Sequence, residues 1–149
     1  CYPATVCLEG ITSLDHGRAT DMPFQLVGAP WIKGQQLCEA LAAYKLPGVA
    51  CYPHRYLSRR PDFSANTALS GIRLVVSNPA RYQPIRTGVT LLHCLQTLYG
   101  RQKLWTPRHC RADFFDKLMG CSTVRHALQD GSTPSNIATQ WKLPTRAFR

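Results

Sequence analysis

The residues best equipped for chemistry crowd into one stretch of the chain. It reads Glu9-Gly10-Ile11-Thr12-Ser13-Leu14-Asp15-His16-Gly17-Arg18-Ala19-Thr20-Asp21-Met22-Pro23-Phe24, and soon after Gly28-Ala29-Pro30-Trp31. The chain has only 8 carboxylates, so three of them (Glu9, Asp15 and Asp21) inside a single loop-rich segment is a concentration. Loops that hold charged and aromatic groups are where sites tend to lie. A saccharide site needs such a mixture. An aromatic face takes the apolar side of a pyranose, and arginine, carboxylate and hydroxyl groups take its hydroxyls or a carboxylate. On this reading Glu9, Thr12, Asp15, His16, Arg18, Thr20, Phe24 and Trp31 are the candidate substrate-binding residues. The same residues also suit a polar surface loop with capping hydroxyls, Trp31 being a core anchor, and the stretch alone does not decide between the two.

Other chemistries find less support. His54 and His93 stand alone on a strand and a helix, where a histidine is more often structural. There is no Gly-x-Ser-x-Gly elbow and no phosphate-binding glycine loop. The seven cysteines, at 1, 7, 38, 51, 94, 110 and 121, form no Cys-x-x-Cys pair and match no zinc spacing. Cys7, Cys38, Cys51 and Cys94 lie in apolar stretches and read as mostly reduced structural thiols. No metal or cofactor is called for.

The elements that must position the candidate loop can be read from periodicity. Residues 3–9 read as a strand, 10–22 as a loop and 23–28 as a short strand. Leu37, Leu41 and Tyr44 repeat at helical spacing over 34–45, and Pro47-Gly48 stops that helix. Residues 49–57 are strand-like, with Pro53 pushing them to a sheet edge or a bulge. Residues 58–69 read as loop and 71–77 as the clearest strand. Val89, Leu92, Leu95 and Leu98 stripe a helix over 86–99. Short helices follow at 112–118 and 122–129, Ser122 being a candidate cap. Thr133 before Pro134 opens a last helix, with Ile137 and Trp141 on one face. Strands fill the first half and helices the second, which predicts an α+β fold: a small mixed or antiparallel sheet packed with helices concentrated in the C-terminal half. Without a repeat or low-complexity linker, residues 1–149 read as a single domain.

Composition bounds the function classes. Apolar residues make up 44% and charged residues 17%, which suits a globular chain and not a disordered one. No apolar run reaches the roughly 18 residues of a membrane span. The formal net charge of +10 suggests polyanionic partners. The basic residues are scattered, however. The short clusters are Arg59-Arg60, Arg101-Gln102-Lys103 and Arg108-His109-Cys110-Arg111, and no nucleic-acid motif accompanies them. A nucleic-acid partner is therefore not expected. The start, Cys1-Tyr2-Pro3, has neither a methionine nor a signal-peptide pattern, and reads as a cut end.

Leu8-Glu9-Gly10, Gly17-Arg18-Ala19-Thr20, Pro23-Phe24 and Gly28-Ala29-Pro30-Trp31, taken in order, resemble the C-terminal half of the exo-β-N-acetylmuramidases. This family, glycoside hydrolase family 171, was long catalogued as a bacterial domain of unknown function. The likeness continues through Leu46-Pro47-Gly48-Val49, Gly71-Ile72, Pro84-Ile85-Arg86-Thr87-Gly88, Phe115-Asp116-Lys117-Leu118-Met119-Gly120 and the ending with Ile137, Trp141 and Phe148. It implies a two-domain enzyme acting on peptidoglycan fragments, of which this chain is the smaller domain that helps to close the saccharide cleft. The partner it implies is a Rossmann-like N-terminal domain, whose Pro-Glu-His-Gly stretch carries the glutamate thought to be catalytic. That stretch is absent here, since Pro53-His54 lacks the Glu, so no catalytic residue is assigned to this chain and it is expected to be inactive alone. The resemblance further implies muramic-acid-containing saccharides as ligands and a periplasmic or secreted location. A non-catalytic carbohydrate-binding or interaction domain is the alternative. Two departures bear on it. The family's Ser-Glu-Gly-Arg-Gly-Thr appears as a loop one residue longer, with Asp15 or His16 replacing the Glu, and Ala19 replaces a Gly.

Overall fold

Helical and strand periods translate into three strands and six helices in the computed structural model, which describes residues 1–61, 63 and 67–145, with side chains described as far as 140. Asp62, the side chain of Trp141 and Phe148 lie outside the described residues. Strands β1 (Leu26–Ala29), β2 (Val49–Leu57) and β3 (Ala68–Val76) form an antiparallel sheet in the order β1-β3-β2. The class is α+β as the sequence predicts, with the helices α3 to α6 all in the second half of the chain. Pro53 sits in the edge strand β2, opposite Ile72, where its missing N–H is tolerated. β3, in the centre, buries Leu69, Ile72 and Leu74.

α2 (Gly34–Ala42) packs on β2 and β3 through Leu37, Cys38 and Leu41. α3 (Pro84–Tyr99) starts at a proline, whose absent N–H is no loss in a first turn, and ends at Gly100 with φ +92°. Its predicted stripe is the buried one: Val89, Leu91, Leu92 and Leu95 reach the core, and Leu98 packs against it. α4 (Ala112–Met119) ends at Gly120 in the left-handed region, as a helix C-terminus favours. α5 (Thr123–Gln129) and α6 (Pro134–Thr145) follow. The Thr133 hydroxyl accepts the Asn136 N–H at 3.3 Å, the expected cap, whereas Ser122 makes no side-chain cap bond.

The N-terminus corrects the sequence reading. Residues 3–9 are no strand: α1 (Tyr2–Thr5) is a short helix and Val6–Gly10 a 3-10 turn. Burial explains why. Ala4, Thr5, Cys7 and Leu8 are all inside, a pattern that a half-buried strand with period two cannot give. α1 docks on α3, and the turn docks on α4, where Phe115 is fully buried beside Gly10.

Candidate functional site

The candidate loop is sewn to the body along both its flanks. On one side Ile11 pairs with Cys110 in an isolated antiparallel bridge. Thr12 donates its N–H to His109 O at 2.8 Å, and Arg111 donates its N–H to Gly10 O at 2.8 Å. On the other side Asp15 and Gly28 exchange both backbone bonds, at 2.8 and 2.9 Å. The segment from Glu9 to Asp15 therefore spans the gap between β1 and the approach to α4.

Asp15 is the anchor. Its carboxylate is buried and accepts from the Gly17 N–H at 2.6 Å, the Tyr56 hydroxyl at 3.1 Å and the Ser58 hydroxyl at 2.5 Å. Two glycines make this possible. Gly17 holds φ +71° to bring its N–H round, and at Gly28 an added Cβ would lie 2.7 Å from the Tyr56 hydroxyl oxygen. Burial and the Asp15 charge in turn raise the Tyr56 pKa, which keeps the phenol protonated as a donor.

His16, next in sequence, is just as buried, but neither ring nitrogen has a hydrogen-bond partner. Its Nε2 stands 3.6 Å from Glu9 Oε1, and its ring meets the Phe24 ring edge-on at 5.2 Å. Burial first, and the Arg60 charge second, lower its pKa, so the ring is neutral at pH 7. The same Glu9 oxygen accepts from Arg18 Nη1 at 3.0 Å, and Arg18 is 66% exposed. Glu9, His16, Arg18 and Ala19 line an open groove of about 460 Å³ with Arg59, Arg60, Pro61 and Arg111. Among the described residues four arginines thus line the groove with a single partly exposed carboxylate. Arg60 also donates to Leu14 O at 2.8 Å, and Arg111 to Glu9 O at 2.6 Å, so two of the four are fixed to the loop backbone.

Thr12 and Trp31 face a second cavity, of about 490 Å³, shared with Ser13, Pro30, Phe63, Arg108 and His109. Trp31 leans edge-on against Tyr99 at 5.3 Å, and the Lys103 ammonium stands 6.0 Å from its ring centre. The two cavities flank the paired strips 9–12 and 108–111, and the Arg60 guanidinium lies 6.0 Å from the Phe63 ring.

The eight candidate residues therefore divide into three groups. Glu9, His16 and Arg18 line the groove, and Thr12 and Trp31 line the second cavity. Asp15, Thr20 and Phe24 shape the loop from within. The Thr20 hydroxyl donates to Gly17 O at 2.7 Å and accepts the Met22 N–H at 3.1 Å. Phe24, at φ +62°, is wedged between Tyr2 and His16. The residues not anticipated are Tyr56, Ser58, Arg59, Arg60, Phe63, Arg108, His109 and Arg111. Two of the three short basic clusters signalled five of them; the pairing of Ile11 with Cys110 brings the cluster 108–111 to this face, and the bonds of Ser58 to Asp15 and of Arg60 to Leu14 O bring Arg59 and Arg60. Ala19 keeps a φ outside the left-handed region, so its methyl group is accommodated without backbone strain. Among the described residues no group of three or more His, Cys, Asp or Glu side chains is placed to hold a metal ion, and no helix is long and apolar enough to cross a membrane.

The arrangement offers cationic and aromatic recognition on one face, with no pair of free carboxylates among the described residues of the groove. A crystal structure of a DUF1343 family protein from Bacteroides fragilis shares this fold, with a TM-score of 0.75 at 19% identity, over 86% of this chain and 33% of that one. The peptidoglycan beta-N-acetylmuramidase NamZ of Bacillus subtilis is 32% identical over 149 residues, which are 99% of this chain and 34% of that protein. This chain thus spans about a third of the relatives it matches. All of residues 1–149 match the family described as exo-beta-N-acetylmuramidase NamZ, C-terminal, and the chain belongs to that family.

Proposed function

We propose that this domain forms one wall of the saccharide cleft of a peptidoglycan-fragment hydrolase, releasing terminal N-acetylmuramic acid together with a Rossmann-like N-terminal domain. The observation that carries the reading is the groove itself, where Arg18 projects into solvent from a carboxylate that holds it at 3.0 Å. Arg18 takes the lactyl carboxylate or a sugar hydroxyl, and Glu9 fixes its direction. Trp31 and Thr12 offer an aromatic face and a hydroxyl to a neighbouring sugar in the second cavity. On this reading the protein works where peptidoglycan fragments are released, in the periplasm or outside the cell.

Glycoside hydrolysis commonly uses two carboxyl groups about 5–9.5 Å apart. Among the described residues Glu9 is the one carboxylate lining the groove, and Asp15 is buried with both oxygens engaged. The catalytic acids accordingly come from the N-terminal domain, and this chain is inactive alone. That same shortage favours the second reading, a non-catalytic carbohydrate-binding domain. Release of a chromogenic aglycone from a β-N-acetylmuramide separates the two. Turnover that appears only when the N-terminal half is supplied supports the hydrolase. Binding without turnover in that full assembly supports the second reading, and turnover by the 149-residue chain alone overturns the assignment of the acids. In the active assembly Arg18→Ala lowers affinity for the muramide about 10-fold or more, as loss of a charge-assisted bond should. Unchanged affinity would remove Arg18 from the site.

A further inference from the structure

Away from the groove, two thiols from different elements meet. Cys38 faces inward from α2 and Cys51 lies in the edge strand β2, and their Sγ atoms are 2.6 Å apart. A disulfide needs side chains that converge and a sulfur–sulfur separation of about 2.04 Å. Here the side chains already converge, and about half an ångström remains to be closed. Both line an open cavity of about 250 Å³, with Leu41, Leu46, Val49 and Leu74 around it, which gives a small thiol reagent a way in.

Their chemistry also differs from that of the other buried cysteines. Burial pushes the Cys7 pKa up to about 12 and the Cys94 pKa up to about 11, which suppresses their thiolates. The hydrogen bond with Cys51 instead lowers the Cys38 pKa, against the opposing effect of burial. The Cys51 pKa is raised, first by that same bond. The contact between the two sulfurs thus favours a thiolate on one of them, held by the S–H of the other, and either sulfur can be the donor.

We propose that Cys38 and Cys51 form a reversible disulfide that ties α2 to the edge of the sheet. The thiolate of one of the pair attacks one sulfur of a disulfide-class oxidant such as oxidised glutathione and displaces one thiolate. The other cysteine, losing its proton, then attacks the first cysteine's sulfur in the mixed disulfide and displaces the second. One sulfur–sulfur bond forms overall for the one broken. The two protein thiols are oxidised, the oxidant becomes two thiols, and the protons from Cys38 and Cys51 balance the thiolates released. α2 follows directly on the Trp31 segment, and β2 runs on to Tyr56 and Ser58. The bond therefore fastens the strand that holds Asp15 to the helix behind it.

The test is disulfide mapping on the complete natural protein. It is incubated with oxidised glutathione, alkylated while folded, and digested with trypsin without reduction. The expected result is one linked species joining peptides 34–45 and 46–55, which dithiothreitol separates. The oxidised protein should melt roughly 6–12 °C above the reduced form, and that difference should vanish in Cys38→Ser and in Cys51→Ser. Alkyl label on both cysteines after oxidation, or a link from either to another cysteine, overturns the proposal. The mapping uses the unsubstituted chain, so it does not depend on either variant folding.

Discussion

Two arginine–carboxylate pairs at opposite ends of the sequence are built from the same groups and are left in opposite states. Between α4 and α5, Arg125 grips Asp116 through two bonds of 2.9 and 2.7 Å, with the side chains only 14% and 17% exposed. Each group satisfies the other, and the hydrogen bonds that Arg125 donates to Asp116 raise the Arg125 pKa further. In the loop, Arg18 touches Glu9 through one bond of 3.0 Å and leaves most of its guanidinium in water. The first pair is a closed clasp between helices. The second holds a cation out over a groove, with donors to spare for a ligand. The difference lies in geometry and exposure, and sequence shows neither.

The comparison can be broken most forcefully at Asp15, a carboxylate more deeply sunk than either. Asp15→Ala leaves the Gly17 N–H and the Ser58 hydroxyl without their acceptor and the Tyr56 hydroxyl with only the Asp15 carbonyl at 3.4 Å, and should lower stability by about 3–4 kcal/mol in denaturant unfolding. A loss under 1 kcal/mol would mean that the loop re-forms its bonds elsewhere. Arg125→Met keeps the stem and removes the clasp, leaving Asp116 partly buried and unpaired. The expected loss is about 2 kcal/mol, between the values typical of exposed and buried pairs. Arg18→Ala in the same assay should stay within about 0.5 kcal/mol, since a mostly exposed pair contributes little. If Arg18→Ala destabilised as much as Arg125→Met, the contrast between clasp and groove would fail.

The smallest effect is a pH dependence. The folded-state pKa of His16 lies below its usual value near 6.5, through burial and then through Arg60. Above pH 6.5 the ring is neutral whether the chain is folded or not. As the pH falls below 6.5 the unfolded chain takes up a proton that the folded one resists, so stability declines with acidity. His93, also lowered by burial, adds a decline of the same sign. Melting curves of His16→Gln between pH 7 and about 5 should show a shallower decline than the parent protein. An equal or steeper decline would mean that His16 is protonated in the fold.

The helices were legible because their apolar residues repeat at a period that nothing else produces: Val89, Leu92 and Leu95 in α3 need no tertiary information. Pro53 alone marked β2 as an edge strand or a bulged one, and the sheet order makes it an edge. Thr5-Val6-Cys7-Leu8 misled, because β-branched composition is a weak preference that packing overrides. There α1 and the turn are held against α3 and α4. At the site, the segment 9–31 stood out by composition, and Glu9, His16 and Arg18 do share a groove. Its other bank did not, because Arg59, Arg60 and Arg111 look like ordinary surface charge until the pairing of Ile11 with Cys110, and the bonds of Ser58 and Arg60 to the loop, set them opposite. Nor does composition tell Asp15 from Glu9. One is consumed by Tyr56 and Ser58, which come from a strand far along the chain, and the other stays at the rim.

The pairing that floors the groove also has a history within each molecule. Arg111 bonds to the carbonyl of Glu9 across 102 residues of chain. Ribosomes add about 5–20 residues per second, so the Glu9 bank leaves the ribosome roughly 5–20 s before its opposite bank exists. During that interval Leu8 and Ile11, later fully buried, have no α4 to cover them. The groove therefore cannot close until residue 111 has emerged, and the nascent protein must stay soluble with its future floor uncovered.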